Sequence, residues 1–205
     1  MSEWLATDKV ADYRARAGRI PHRAEGEAVL LELLPQRVER VLDLGCGDGR
    51  LLGMVRAYRS SAPGVALDFS PPMLERARER FAGADAVQVL AHDLSEPLPE
   101  LGRFDLVVSS FAIHHLEHER KRGLYGEAFA LLDPGGAFLN LEHVASPTPA
   151  LHQQFLEELG VPEDSSNKLL DVETQLGWLR ELGFSEVDCH WKWRELALLG
   201  AVKPA

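Results

Sequence analysis

The sequence predicts an α/β fold: a doubly wound, mostly parallel sheet of seven strands with helices on both faces. Three observations predict it. From residue 39 onward, short apolar strand patterns alternate with helical ones, the rhythm of a parallel sheet built from crossover units. The strand patterns are apolar runs, as burial on both faces requires. A glycine-rich break, Gly45-x-Gly47-x-Gly49, follows the first of them, where only residues without a Cβ make the turn from strand to helix. The 205 residues suit one domain with a sizeable core. It is expected over 1–205, with an N-terminal helical cap at 1–37, a core at 38–203 and a lid insertion at 146–170.

The elements follow in order. Residues 4–17 and 24–34 read as two helices, separated by Gly18-Arg19-Ile20-Pro21-His22. Strands are expected near 40–44, 64–68, 86–91 and 104–109, and helices near 49–59, 71–82 and 118–132. Ser70 is expected to cap the helix whose first turn holds Pro71 and Pro72. Asp133-Pro134-Gly135-Gly136 reads as a turn before a fifth strand at 137–143. Residues 146–170 then break the rhythm with Ser146-Pro147-Thr148-Pro149 and the polar stretch Glu163–Lys168, the composition of a binding loop or lid. A helix at 171–182 stops at Gly183, and strands near 186–191 and 194–202 close the chain. Cys189, Trp191 and Trp193 alternate on one strand and are expected to share a face. That face packs against helix 171–182 or, alternatively, lines a pocket.

Composition excludes several classes. Apolar residues make up 45% and the formal net charge is -10. An acidic surface repels phosphate backbones, so nucleic-acid partners are disfavoured. Cys46 and Cys189 form no CxxC pair, which gives no zinc or disulfide framework. Met1-Ser2-Glu3-Trp4 opens no signal peptide, and no apolar run approaches a membrane span. A soluble, cytoplasmic protein of undetermined oligomeric state is expected. His114, His115 and His118, interleaved with Glu117 and Glu119, lack the spacing of a metal motif, so no metal is expected there.

The run Val41-Leu42-Asp43-Leu44-Gly45-Cys46-Gly47-Asp48-Gly49 narrows the ligand. A dinucleotide loop aims helix amides at a pyrophosphate. Asp43, anionic and inside the strand, would repel one and attract a cation instead. The pattern Asp-x-Gly-x-Gly-x-Gly resembles motif I of the class I S-adenosylmethionine-dependent methyltransferases, whose cofactor AdoMet carries an ammonium and a sulfonium and no phosphate. The resemblance covers about residues 38–203 and implies a Rossmann-like sheet ending in an antiparallel hairpin. It also implies methyl transfer by in-line displacement to a small-molecule acceptor.

The resemblance carries over residue by residue. Asp43, Gly45, Cys46 and Gly47 belong to the cofactor loop. Asp68 ends the second strand, where an acid accepts from both ribose hydroxyls; a helix-capping role is the alternative. Asp93 follows the third strand, where an acid accepts from the adenine amino group; a turn-forming role is the alternative. Phe69 and Leu94 either sandwich the adenine or pack at its rim. Ser110 and Phe111 sit where the fourth strand opens to the pocket, and Asp105 at its other end is expected to be structural. His114 and His115 are expected to begin the next helix, beside the acceptor. His115 is the candidate base, since imidazole titrates near working pH; the alternative is that His114 or His115 only caps the helix or satisfies a backbone carbonyl. Tyr13 and His22 either shape the acceptor pocket or belong to a surface linker.

Two other readings remain. An AdoMet enzyme acting on protein, RNA or the cofactor itself is one; Asp171–Leu176, Leu182-Gly183-Phe184 and Trp191 are locally similar to carboxy-AdoMet synthases. A non-catalytic AdoMet-binding protein is the other.

Overall fold

The computed structural model describes residues 20–59, 62–160 and 162–205. The first expected helix, Tyr13 and Arg19 therefore lie outside the described residues. The described chain runs α1 (Arg23–Glu32), β1 (Val41–Leu44), α2 (Arg50–Tyr58), β2 (Gly64–Asp68), α3 (Pro71–Arg80), β3 (Val87–Ala91) and β4 (Phe104–Ser110). A 3-10 turn (Ile113–His115), α4 (His118–Leu131) and β5 (Leu132–His143) follow. Then come α5 (Pro149–Leu159), α6 (Val172–Glu181), β6 (Ser185–Trp193) and β7 (Leu196–Val202). The sheet order is β3-β2-β1-β4-β5-β7-β6. The first five strands are parallel, and β7 is antiparallel to both β5 and β6. The strand order reverses between β1 and β4, so a crevice opens at their carboxyl ends.

Strand alternation builds a core on each face. Leu42, Leu44, Val65, Leu67 and Val107 join one cluster with Leu124 and Tyr125 of α4 and Leu176 and Leu179 of α6. Val41, Ala66, Leu106 and Val108 join the other with Leu30 of α1 and Leu51, Leu52 and Val55 of α2. Asp43 shares the face of Val41 and is therefore buried beneath α2. Asp105 is structural, as expected: its Oδ1 accepts from the Arg40 amide at 2.9 Å, tying β4 to the entry of β1.

Four local expectations need correction. Asp133–Gly136 does not precede β5 but bulges inside it, with Phe104 paired to Leu132 and Leu106 to Ala137. The amide of Gly135 and the carbonyl of Gly136 pair with Lys203, so this turn-forming composition is held within the ladder. His114 and His115 form the 3-10 turn rather than the helix start; α4 begins at His118, after Glu117. Ser70 stands at the N-cap of α3, but its side chain makes no cap bond; Asp68 Oδ1 accepts from the Ser70 amide instead, at 2.9 Å. The register of β6 shifts between Cys189 and Trp191, and the bulge turns the tryptophans to the other face. Cys189 packs with the α6 side, whereas Trp191 and Trp193 pack with the α1 side. Trp193 stacks on His22 with ring centroids 4.4 Å apart.

Candidate functional site

The loop after β1 is built by glycine. Gly45 has φ +69°, and a Cβ there would lie 2.2 Å from the Ala112 Cβ, so a side chain is excluded twice over. Gly47 has φ +54° and open space where its Cβ would be, which lets a ligand reach the backbone. The Cys46 amide donates to the Leu67 carbonyl at 2.8 Å, anchoring the loop to β2. The Gly47 amide donates to Asp68 Oδ2 at 2.8 Å. With the Ser70 amide on Oδ1, both oxygens of Asp68 are oriented by backbone. An ionised carboxylate has about four lone-pair sites, so it retains capacity for ligand hydroxyls.

Asp43 is 1% exposed. Its Oδ2 accepts from the Leu52 amide at 3.2 Å, within the first turn of α2, where the helix dipole favours an anion. Among the described residues, Oδ1 finds no hydrogen-bond partner. Burial raises this carboxyl to about 7, and the nearby carboxylates of Asp68 and Asp48 add to the rise against the Leu52 amide. Burial also raises Asp68, opposed by the amides of Ser70, Gly47 and Phe69. Burial and then the surrounding carboxylates raise the Cys46 thiol, so it stays protonated and takes part through its backbone.

Two cavities meet at this loop. The larger, about 440 Å³, is lined by Asp43, Gly45, Cys46, Gly47 and Ser110 and, from α1 and its approach, by His22, Arg23 and Glu27. The smaller, about 100 Å³, is lined by Asp68, Phe69, Asp93, Leu94, Phe111 and His115. Gly45, Gly47 and Met73 border both. The nine expected cofactor residues therefore border these two adjoining cavities, as do His22, Phe111 and His115. Ser110 Oγ is buried without a hydrogen-bond partner among the described residues. Asp93 Oδ1 accepts from the Ser95 amide at 2.9 Å, so Asp93 forms a turn and borders the cavity together. Phe111 takes φ +53°, rare for a bulky residue, and the Arg23 guanidinium stands 5.1 Å from its ring centroid.

His115 makes a 3.1 Å contact from Nδ1 to Ser166 Oγ. Burial pushes its imidazole down to about 4, helped by neighbouring His114, so it is neutral at pH 7. His114 is not a helix cap either: it is buried, with Nδ1 2.6 Å from Glu142 Oε1. Among the described residues, no three His, Cys, Asp or Glu side chains converge as metal ligands.

One feature of the larger cavity escapes sequence reading. Glu27 is 2% exposed and is held by Arg23 Nε at 2.9 Å and by both terminal nitrogens of Arg50, at 2.8 and 2.7 Å. Two guanidiniums hold this one carboxylate at the wall of the larger cavity, which Asp43 also lines. The i, i+4 spacing of Arg23 and Glu27 was a signal for half of it; Arg50 comes from another helix.

A methyltransferase-domain family model matches residues 41–136. An uncharacterised methyltransferase of Mycobacterium bovis is 38% identical over 61% of this chain and 59% of its own length, so the chain spans about three fifths of that relative. A demethylmenaquinone methyltransferase of Clavibacter sepedonicus is 32% identical, over 75% of this chain and 69% of its own. An O-methyltransferase family protein from Burkholderia thailandensis superposes with a TM-score of 0.72, at 24% identity, over 96% of this chain and 62% of its own; this likeness concerns the fold. The chain belongs to the class I S-adenosylmethionine-dependent methyltransferases. The site fits that cofactor: a buried carboxylate oxygen in want of a donor, an open backbone at Gly47 and a second acid at the tip of β2 suit a ligand with an ammonium and a ribose.

Proposed function

We propose that this protein moves a methyl group from AdoMet to a small-molecule acceptor. The observation that carries the proposal is the pair of buried acids, Asp43 and Asp68, flanking a glycine loop on which two cavities meet. When bound, AdoMet supplies a methyl carbon already activated by its sulfonium. Asp68 accepts from the ribose hydroxyls. Asp93 accepts from the adenine amino group, with Phe69 and Leu94 against the ring faces. Gly45, Cys46 and Gly47 receive the amino-acid end, whose ammonium is drawn to Asp43. Ser110 and Phe111 form the floor beneath the acceptor, and His22 contributes to its outer wall. His115 accepts the acceptor's proton. Little further catalysis is needed, because alignment and exclusion of water supply much of the rate.

Two things support a small acceptor. The formal charge of -10 opposes a nucleic-acid partner. The relative from Clavibacter is named a demethylmenaquinone methyltransferase, not a protein or RNA methyltransferase. A cytoplasmic location agrees with unpaired Cys46 and Cys189 and with the lack, among the described residues, of any helix long and apolar enough to cross a membrane. Residues 146–170 act as a lid on the acceptor side, beside His114 and His115. Incubation with methyl-labelled AdoMet and a cell extract divided by size tests the acceptor class. Label is expected in the small-molecule fraction; label confined to protein or RNA would contradict it.

A further inference from the structure

The connection between α5 and α6 makes a contact to His115 whose direction can be worked out. Ser166 Oγ lies 2.7 Å from Asp164 Oδ1 and 3.1 Å from Nδ1 of His115. The same Asp164 oxygen accepts from the Ser166 amide at 2.9 Å. Burial raises the Asp164 carboxyl, but the Ser166 hydroxyl and amide and the nearby imidazoles outweigh it and hold it below its ordinary value. It is therefore ionised at neutral pH and only accepts. A hydroxyl has one hydrogen to donate, and Ser166 donates it to Asp164. Its oxygen must then accept from the imidazole. Nδ1 of His115 carries the hydrogen, and the lone pair is left on Nε2.

The segment is tied down so that this relay is in register. The Lys168 amide donates to the His114 carbonyl at 2.8 Å, and the Ala145 amide to the Leu170 carbonyl at 3.0 Å. The Lys121 ammonium donates to the Lys168 carbonyl. Among the described residues, the charged and titratable groups near His115 include His114 with Glu142 from β5, Asp164, the Lys168–Glu117 pair at 3.8 Å, and Asp68 and Asp93, which line the same cavity.

We propose that Asp164 and Ser166 are positioning residues that hold His115 in its Nδ1–H tautomer. This deepens the methyltransferase reading above and rests on it.

The tautomer is measured without cofactor. In protein labelled with ¹⁵N-histidine, long-range proton–nitrogen correlation distinguishes a protonated ring nitrogen from one bearing a lone pair. The His115 signals are assigned by their loss in His115→Asn. Nδ1–H is expected in the wild type, with a shift toward Nε2–H in Ser166→Ala and restoration in Ser166→Thr. Nε2–H in the wild type, or an unchanged ring in a folded Ser166→Ala, would overturn the relay. With ¹³C-methyl AdoMet and the small-molecule extract, Ser166→Ala should lower kcat about tenfold with little change in KM for AdoMet. Absence of any methylated product would instead remove the parent reading, whatever the tautomer shows.

Discussion

Lowering the pH should weaken AdoMet binding through Asp43. Its carboxyl is raised to about 7 by burial, its Oδ1 has no hydrogen-bond partner among the described residues, and the residue lines the larger cavity. Only the ionised form attracts the ligand's ammonium. At pH 7.0 about half of Asp43 is ionised, and at pH 5.5 about 3%. Affinity should therefore fall about 15-fold between them, or ~1.6 kcal/mol at 1.36 kcal/mol per tenfold. The ligand's amino group, with an ordinary pKa near 7.7–8.0, stays mostly protonated across that window. Calorimetry at the two pH values reads the ratio, and titration at pH 6 in buffers of different ionisation enthalpy reads the proton released on binding. Asp43→Asn should bind more weakly at pH 7.0 and lose most of the pH dependence. The same shift has a stability consequence with a definite sign. A pKa raised in the folded state gives stability that is present below the unfolded value and lost as pH rises through about 7. Asp43→Asn should therefore gain in Tm on the wild type between pH 5 and 8. Equal affinity at both pH values, or the same slope in Asp43→Asn, would refute the reasoning.

Asp68→Ala should weaken AdoMet binding by roughly 1–3 kcal/mol, measured by calorimetry, and also loosen the loop, because the Gly47 amide loses its acceptor. Gly45→Ala should abolish binding or folding, because its Cβ would collide with Ala112 at a positive φ; thermal melts with and without AdoMet distinguish the two. Residues 146–170 should gain hydrogen-exchange protection when AdoMet binds, and equal protection in both states would reject the lid.

The parts of the site legible in sequence are those fixed by backbone chemistry within one segment. Glycines at alternate positions after a buried acid leave few other structures, and the acids at the tips of β2 and β3 follow from strand spacing alone. What escaped depends on pairings across the chain. Glu27 reads as an ordinary helical acid until α2 brings Arg50 to it. Ser166 and Asp164 read as loop polarity until the connection folds back on His115. Asp133–Gly136 has the composition of a turn, yet Lys203 holds it as a bulge. Trp191 and Trp193 changed face because one register shift in β6 inverts the alternation on which the reading relied. His114 has no local sign of burial; it is Glu142, one strand away, that makes its buried position tenable.

The central claim, that the acid–glycine loop receives AdoMet, is tested most directly by calorimetric titration with AdoMet, S-adenosylhomocysteine and NAD side by side. The account predicts that the first two bind, that both weaken in Asp68→Ala, and that NAD gives no heat, because Asp43 stands where a pyrophosphate would have to approach. Tight binding of NAD with none of AdoMet would contradict it.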